Sequence, residues 1–171
     1  MKNLSILYSE NDNVNSHAVY SPCKQYRYEL TRQWSDNNKR MLFILLNPST
    51  ATERKNDPTV ERCEKRARNL NYGAYRVCNI FSYRATNPLE LRNSADPVGP
   101  DNISILIEGL KWANKVVCGW GNNGFHLRQG ENVEKILRFN NIKTFHLGLT
   151  KKKCPKHPLY VSYEKSLESW F

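Results

Sequence analysis

The chain has 171 residues and no apolar run near the roughly 20 residues that a membrane-spanning helix needs. Its start, MKNLSILYSENDN, has a short apolar patch and early acids but no signal-peptide core or cleavage site, so the expectation is a cytoplasmic protein. Cysteine pairs are missing. The five cysteines, at 23, 63, 78, 118 and 154, are odd in number and form no CxxC, which argues against a disulfide framework or a Cys-rich zinc site. Cys78 and Cys118 lie in apolar runs and read as core thiols. The four histidines are far apart and no HxE spacing occurs, so no metal or cofactor is expected. Internal repeats and low-complexity segments are also missing, leaving a single domain over residues 1–171. Acidic residues are scarce: 16 against 26 Lys and Arg, a formal net charge of +10. That balance suits a polyanionic partner such as nucleic acid, and equally a basic surface kept for solubility.

What is present centres on Met41 to Thr59, MLFILLNPSTATERKNDPT. The run Met41 to Leu46 reads as a fully buried, parallel strand. It breaks at Asn47-Pro48 into a loop of Asn, Ser, Thr and Asp. In open α/β sheets ligands bind beyond the carboxyl ends of strands, so this loop is the first candidate site. The other reading makes Asn47-Pro48 a turn and Asp57 a helix N-cap.

Residues 1–25 read as a peripheral segment, with His17, Tyr20 and Cys23 at the surface. Residues 26–34 alternate as a half-exposed strand, expected to pair with 41–46 as an antiparallel hairpin. Val60, Cys63, Ala67 and Leu70 have helical spacing behind Asp57-Pro58. Further strands are expected over 75–81, 115–121 and 143–148. Helices are expected at Asn102 to Asn114, capped by Asp101 with Ile103, Leu106, Ile107 and Leu110 on one face, and at 131–139. His146 reads as a satisfied core histidine, and Ser162 to Phe171 as a short closing helix. The alternation predicts an α/β three-layer sandwich around a central, mainly parallel four-stranded sheet, with an added N-terminal strand or hairpin. Right-handed crossovers would place all strand-end loops on one edge.

The segments LLNPSTA, NDPT, NIFSYRAT, DPVGPDN, WG and LGLTKKKCPKHPLY resemble the domain-of-unknown-function family 1643 over residues 26–160. A second resemblance is to the uracil-DNA glycosylase superfamily. Asn47-Pro48 falls on that superfamily's first motif, Asn79 on its base-reading position, Trp120-Gly121 on the third motif and His157-Pro158 on the last.

This second resemblance implies a uracil-DNA glycosylase-like fold and a metal-independent hydrolase of N-glycosidic bonds in DNA, a base-excision step of DNA repair. Such an enzyme takes a base out of the stack. By this resemblance His157 would donate to the departing base, as an oxyanion hole does. Asn79 would read the base edge with an amide that both donates and accepts. Phe81 would stack on it. Asn47 would orient water, with Asp57 the nearest carboxylate base. Pro48, Ser49, Thr50, Arg84, Trp120 and Gly121 would line the pocket, and Lys151, Lys152, Lys153 and Lys156 would meet phosphates of single- or double-stranded DNA. Arg62 or Arg66 could hold a phosphate as well. Leu159 or Tyr160 would be the wedge.

Asn47 stands where the most active branch has Asp, and Ser49 where the uracil-specific branch has Tyr. Both imply slower chemistry on a mismatched, larger or modified base. The competing reading is a binding module that holds a base or nucleotide without cutting. A third is an enzyme acting on free nucleotides. No obligate protein partner is evident.

Overall fold

The computed structural model describes residues 3–11 and 13–171. Of the N-terminal segment, Met1, Lys2 and Asp12 lie outside the described residues. The strands are β1 (Ser5–Asn11), β2 (Val14–Tyr20), β3 (Arg27–Gln33), β4 (Arg40–Leu45), β5 (Ala74–Asn79), β6 (Lys115–Gly119), β7 (Thr144–His146) and β8 (Glu168–Ser169). The helices are α1 (Pro58–Asn69), α2 (Pro88–Asn93), α3 (Asn102–Trp112) and α4 (Gln129–Phe139). No described helix is long and apolar enough to cross a membrane.

The eight strands form one mixed sheet in the order β1-β2-β3-β5-β4-β6-β7-β8. This corrects the expected central, mainly parallel four-stranded sheet. Four of the described pairings are antiparallel (β1/β2, β2/β3, β3/β5, β7/β8) and three are parallel (β5/β4, β4/β6, β6/β7). The expected hairpin between residues 26–34 and 41–46 does not form either. β5 stands between β3 and β4 and pairs with both. Local alternation marks a strand but carries no information about its neighbour, which is why the partner was misjudged.

Two further segments join the sheet. Residues 5–11 and 14–20, read as peripheral, pair as β1 and β2, and Ala18 and Tyr20 are buried in the core. The tail, expected as a helix, adds β8 to β7, with Thr144 N–H donating to Phe171 O and Trp170 N–H to Thr144 O.

Side chains of β4 alternate between two cores. Met41, Phe43 and Leu45 pack with Val60, Cys63 and Ala67 of α1 on one face. Leu42 and Ile44 pack with Leu106 and Leu110 of α3 and Val133 and Leu137 of α4 on the other. A strand buried on both faces needs a continuous apolar run, as 41–45 supplies. α3 is rotated from expectation: Ile105, Leu106, Gly109 and Leu110 face inward while Ile103 and Ile107 are half-buried, and Asp101 makes no side-chain cap bond.

β4, β5, β6 and β7 lie parallel, so their carboxyl ends reach one edge of the sheet.

Candidate functional site

Beyond β4 the chain turns out of the sheet at Asn47. Its amide donates to Pro48 O (3.0 Å) and to Ala85 O (2.8 Å), tying the loop after β4 to the loop after β5. Ala85 N–H in turn donates to Pro48 O (3.0 Å). The nitrogen of Asn47 is thus committed to structure, and its oxygen is the atom left to receive a ligand or water. The side chain lines a narrow crevice of about 40 Å³ with Thr86, Arg92, Asn123 and His126, too small for a base.

Residues 49–57 are held from beneath by two buried arginines of β3. Arg27 donates to Ala51 O, and Arg32 to Thr52 O (2.6 Å) and Asn56 Oδ1 (3.1 Å). Burial pushes the Arg27 guanidinium down to about 10, still protonated at neutral pH. In the alternation of residues 26–34 Arg27 falls on the polar half, while Arg32 falls on the half of Tyr28, Leu30 and Trp34. Their function in bracing the loop had no sequence signal, because alternation does not say which face another loop covers.

Asp57 closes the loop as the N-cap of α1. Its carboxylate accepts from Thr59 N–H (3.0 Å), Val60 N–H (2.9 Å) and Ala51 N–H (3.3 Å). It is 9% exposed. A carboxylate receiving three backbone donors is well placed for structure and poorly placed to take a proton from water.

Asn79 is the last residue of β5 and 3% exposed. Its carbonyl accepts from Asn102 Nδ2 (3.1 Å), and its Oδ1 is buried without a partner. Phe81 is fully buried, with its ring 5.5 Å from that of His126, so neither of its faces is open to a base. Trp120 is 2% exposed and packs against Trp170 at 5.6 Å; Gly124 and Gly130 lie so close to its ring that a Cβ at Gly124 would stand 2.2 Å from Cδ1. Gly121, at φ +67°, turns the chain away, and its N–H donates to Pro155 O (2.8 Å).

His157 caps a short 3-10 helix, Pro158–Tyr160, with Nδ1 accepting from Leu159 N–H (3.4 Å). That bond puts the proton of the neutral ring on Nε2, leaving Nε2–H as a donor. Burial pushes its pKa down to about 4, against the opposing pull of Asp57, so the ring is neutral at pH 7. The Pro158–Tyr160 helix packs against α1, the helix that Asp57 caps.

A wider cavity of about 430 Å³ opens on the same edge, lined by Lys24, Ser49, Thr50, Arg84, Thr86 and Glu90 among others. Arg84 is fixed by Lys24 O (3.1 Å) and lies over the Tyr20 ring at 5.5 Å, with its Nε buried and unpartnered. Lys24 comes from the stretch read as peripheral. Thr86, in the NIFSYRAT segment, carries no functional signal in the sequence.

Asn47 lines the crevice and Ser49, Thr50 and Arg84 the wider cavity; Asn79 and His157 line neither. Pro48 is buried under the loop. Lys151, Lys152, Lys153 and Lys156 are exposed. Their loop joins the loop after β6 through Thr150 Oγ1 to Asn122 Oδ1 (2.7 Å). Tyr160 is 83% exposed. Arg66, weighed as a phosphate ligand, is buried and faces the tail. Among the described residues no group of three or more His, Cys, Asp or Glu is placed to hold a metal.

The family model described as "Protein of unknown function (DUF1643)" matches residues 27–159. The chain belongs to the DUF1643 family. No curated protein and no solved structure matches it. The family membership covers the whole strand-end edge, from β3 to the His157 loop, and carries no activity with it.

Proposed function

We propose that this DUF1643 protein binds nucleic acid at the carboxyl edge of its parallel strands and holds a nucleotide in the cavity beside Arg84. The carrying observation is the make-up of that cavity: hydroxyls of Ser49, Thr50 and Thr86 with the cations of Lys24 and Arg84, which outnumber the single carboxylate of Glu90, in about 430 Å³. Hydroxyls and a guanidinium are the donors that phosphate oxygens take. The volume lies within the range of small-ligand sites. The exposed lysines at 151, 152, 153 and 156 extend the positive surface along the same edge. Binding is favoured over cutting because Asp57 is spent on α1 and Asn47 cannot remove a proton.

The test is titration of labelled single- and double-stranded oligonucleotides at several salt concentrations. Affinity should fall steeply with salt. Arg84→Ala should weaken binding uniformly across sequences and reduce the slope of log K against log salt by about 1. Affinity indifferent to both salt and Arg84 would sink the proposal.

One observation favours the second reading, cleavage of the N-glycosidic bond of an unusual, mismatched or modified base. The neutral His157 offers Nε2–H beside Asp57, a suitable donor to a departing base. Duplexes carrying uracil, mismatched thymine or 5-modified pyrimidines should then gain abasic sites, lost with His157→Ala. Folded protein yielding none leaves the binding reading alone.

A further inference from the structure

At the opposite, amino edge of β5, the N-terminal hairpin leaves a second cavity of about 490 Å³. Residues of β1, β2 and β3 in register form its floor: Tyr8 opposite His17 opposite Thr31, then Glu10 opposite Asn15 opposite Gln33. Trp112, at the end of α3, lines it as well.

Beside the floor lies Glu29, 6% exposed, with three donors. His17 Nε2 stands at 2.7 Å from Oε1, Thr31 Oγ1 at 3.0 Å from Oε1, and Arg76 Nη1 at 3.0 Å from Oε2. His17 and Arg76 hold its carboxyl below the usual range in spite of burial. A carboxylate can only accept, so Nε2 carries a proton, and in the neutral imidazole Nδ1 is then the lone pair. Nδ1 has no partner among the described residues. Burying such a charged network costs desolvation that apolar packing would avoid, so folding alone does not call for it.

The lining specifies the ligand. His17 Nδ1 and the Glu10 carboxylate accept. Gln33 spends its Nε2 on Ser35 O (3.4 Å) and Asp36 Oδ1 (3.3 Å), leaving Oε1 to accept too. No lysine or arginine lines the cavity, and Glu10 opposes a phosphate. A full positive charge is opposed as well, because Arg76 and Arg40 stand against the Trp112 ring at 4.4 and 5.6 Å. Tyr8, 71% exposed, and Trp112 offer ring surface. We infer that this cavity binds an uncharged planar heterocycle bearing an amino group, such as an aminopurine nucleoside without phosphate. His17 Nδ1 takes one amino hydrogen, Glu29 fixes the tautomer, and Tyr8 supplies a flat contact.

The site is independent of the carboxyl-edge proposal, since the two lie at opposite ends of the strands. The test is a heteronuclear NMR titration of the full chain with adenosine, inosine and adenosine monophosphate. Adenosine should shift the Trp112 indole and His17 ring signals. Inosine, which has a carbonyl in place of the amino group, should bind at least tenfold more weakly, and the monophosphate about threefold more weakly than adenosine. His17→Ala should abolish the adenosine shifts. The inosine comparison needs no variant, so a misfolded His17→Ala leaves the test intact. Equal binding of adenosine and inosine, or adenosine shifts confined to residues around Arg84, or no shifts at all, would overturn the inference.

Discussion

Asp57 shows how one carboxylate separates two readings. As an N-cap it accepts from Thr59, Val60 and Ala51 N–H groups. Asparagine caps a helix about as well as aspartate, whereas alanine does not. Asp57→Asn keeps the Oδ1 cap of Thr59 and Val60 but turns an amide NH2 toward Ala51 N–H, so it is expected to lose about 1 kcal/mol, and Asp57→Ala about 2 kcal/mol, by denaturant unfolding. If Asp57 acted as a base, Asp57→Asn would keep the fold and lose all turnover. Asn79 teaches a different lesson at this scale. It lies inside the strand predicted over 75–81 and closes β5, with its side chain under the surface. Residue type and position in a motif gave its place along the chain. Which way its side chain faces depends on the twist and packing of neighbours.

At the scale of elements, α1 follows its periodicity at Val60, Cys63 and Ala67, which face the sheet behind the Asp57 cap and Pro58, but not at Leu70, which caps the helix end 46% exposed. Its buried arginine does not follow it either. Arg66 is 5% exposed and donates to Val161 O (3.0 Å), Ser162 O (2.7 Å) and Lys165 O (3.3 Å), clasping the tail across α1. Tyr163 lies under the cations of Arg62, Lys65 and Arg66 at 4.7, 4.5 and 5.4 Å. Removing the guanidinium strands several carbonyls, so Arg66→Met should destabilise by about 2–4 kcal/mol. The same change should raise amide exchange across 161–171 before the rest of the chain. Unchanged protection there would refute the clasp. A reading of the helix alone could offer Arg66 only as a surface or phosphate residue, since the partner segment is almost a hundred positions away.

At the scale of the whole molecule, stability should depend on pH through His157. Its folded value is about 4, against 6.5 for the free side chain. Between those values the unfolded chain binds a proton that the folded chain refuses. Stability is therefore complete above about pH 6.5 and falls as acid is added toward pH 4. A difference of about 2.5 corresponds to about 3 kcal/mol at the foot of that window. Burial lowers His146 as well, with the same sign. Denaturant unfolding across pH 4.5–7 should show this slope, and His157→Gln should flatten most of it. An unchanged slope in the variant would place the acid sensitivity elsewhere.

The sequence by itself determined the elements that bury both faces or carry their own punctuation. The run at 41–46, the Asp57-Pro58 start of α1, and the strands expected over 75–81 and 115–121, whose observed ends fall two residues earlier, are legible because local burial and capping leave a local pattern. So are the positive balance and the cluster of polar residues at the strand ends. Only the tertiary structure decided that β5 separates β3 from β4, that residues 5–11, 14–20 and 168–169 complete an eight-stranded sheet, and that Arg27 and Arg32 hold the strand-end loop. It alone brought Lys24 beside Arg84 and His17 beside Glu29. Strand order and buried polar contacts join residues far apart in the chain. Their energies depend on who the neighbour is, and no short stretch of sequence records that.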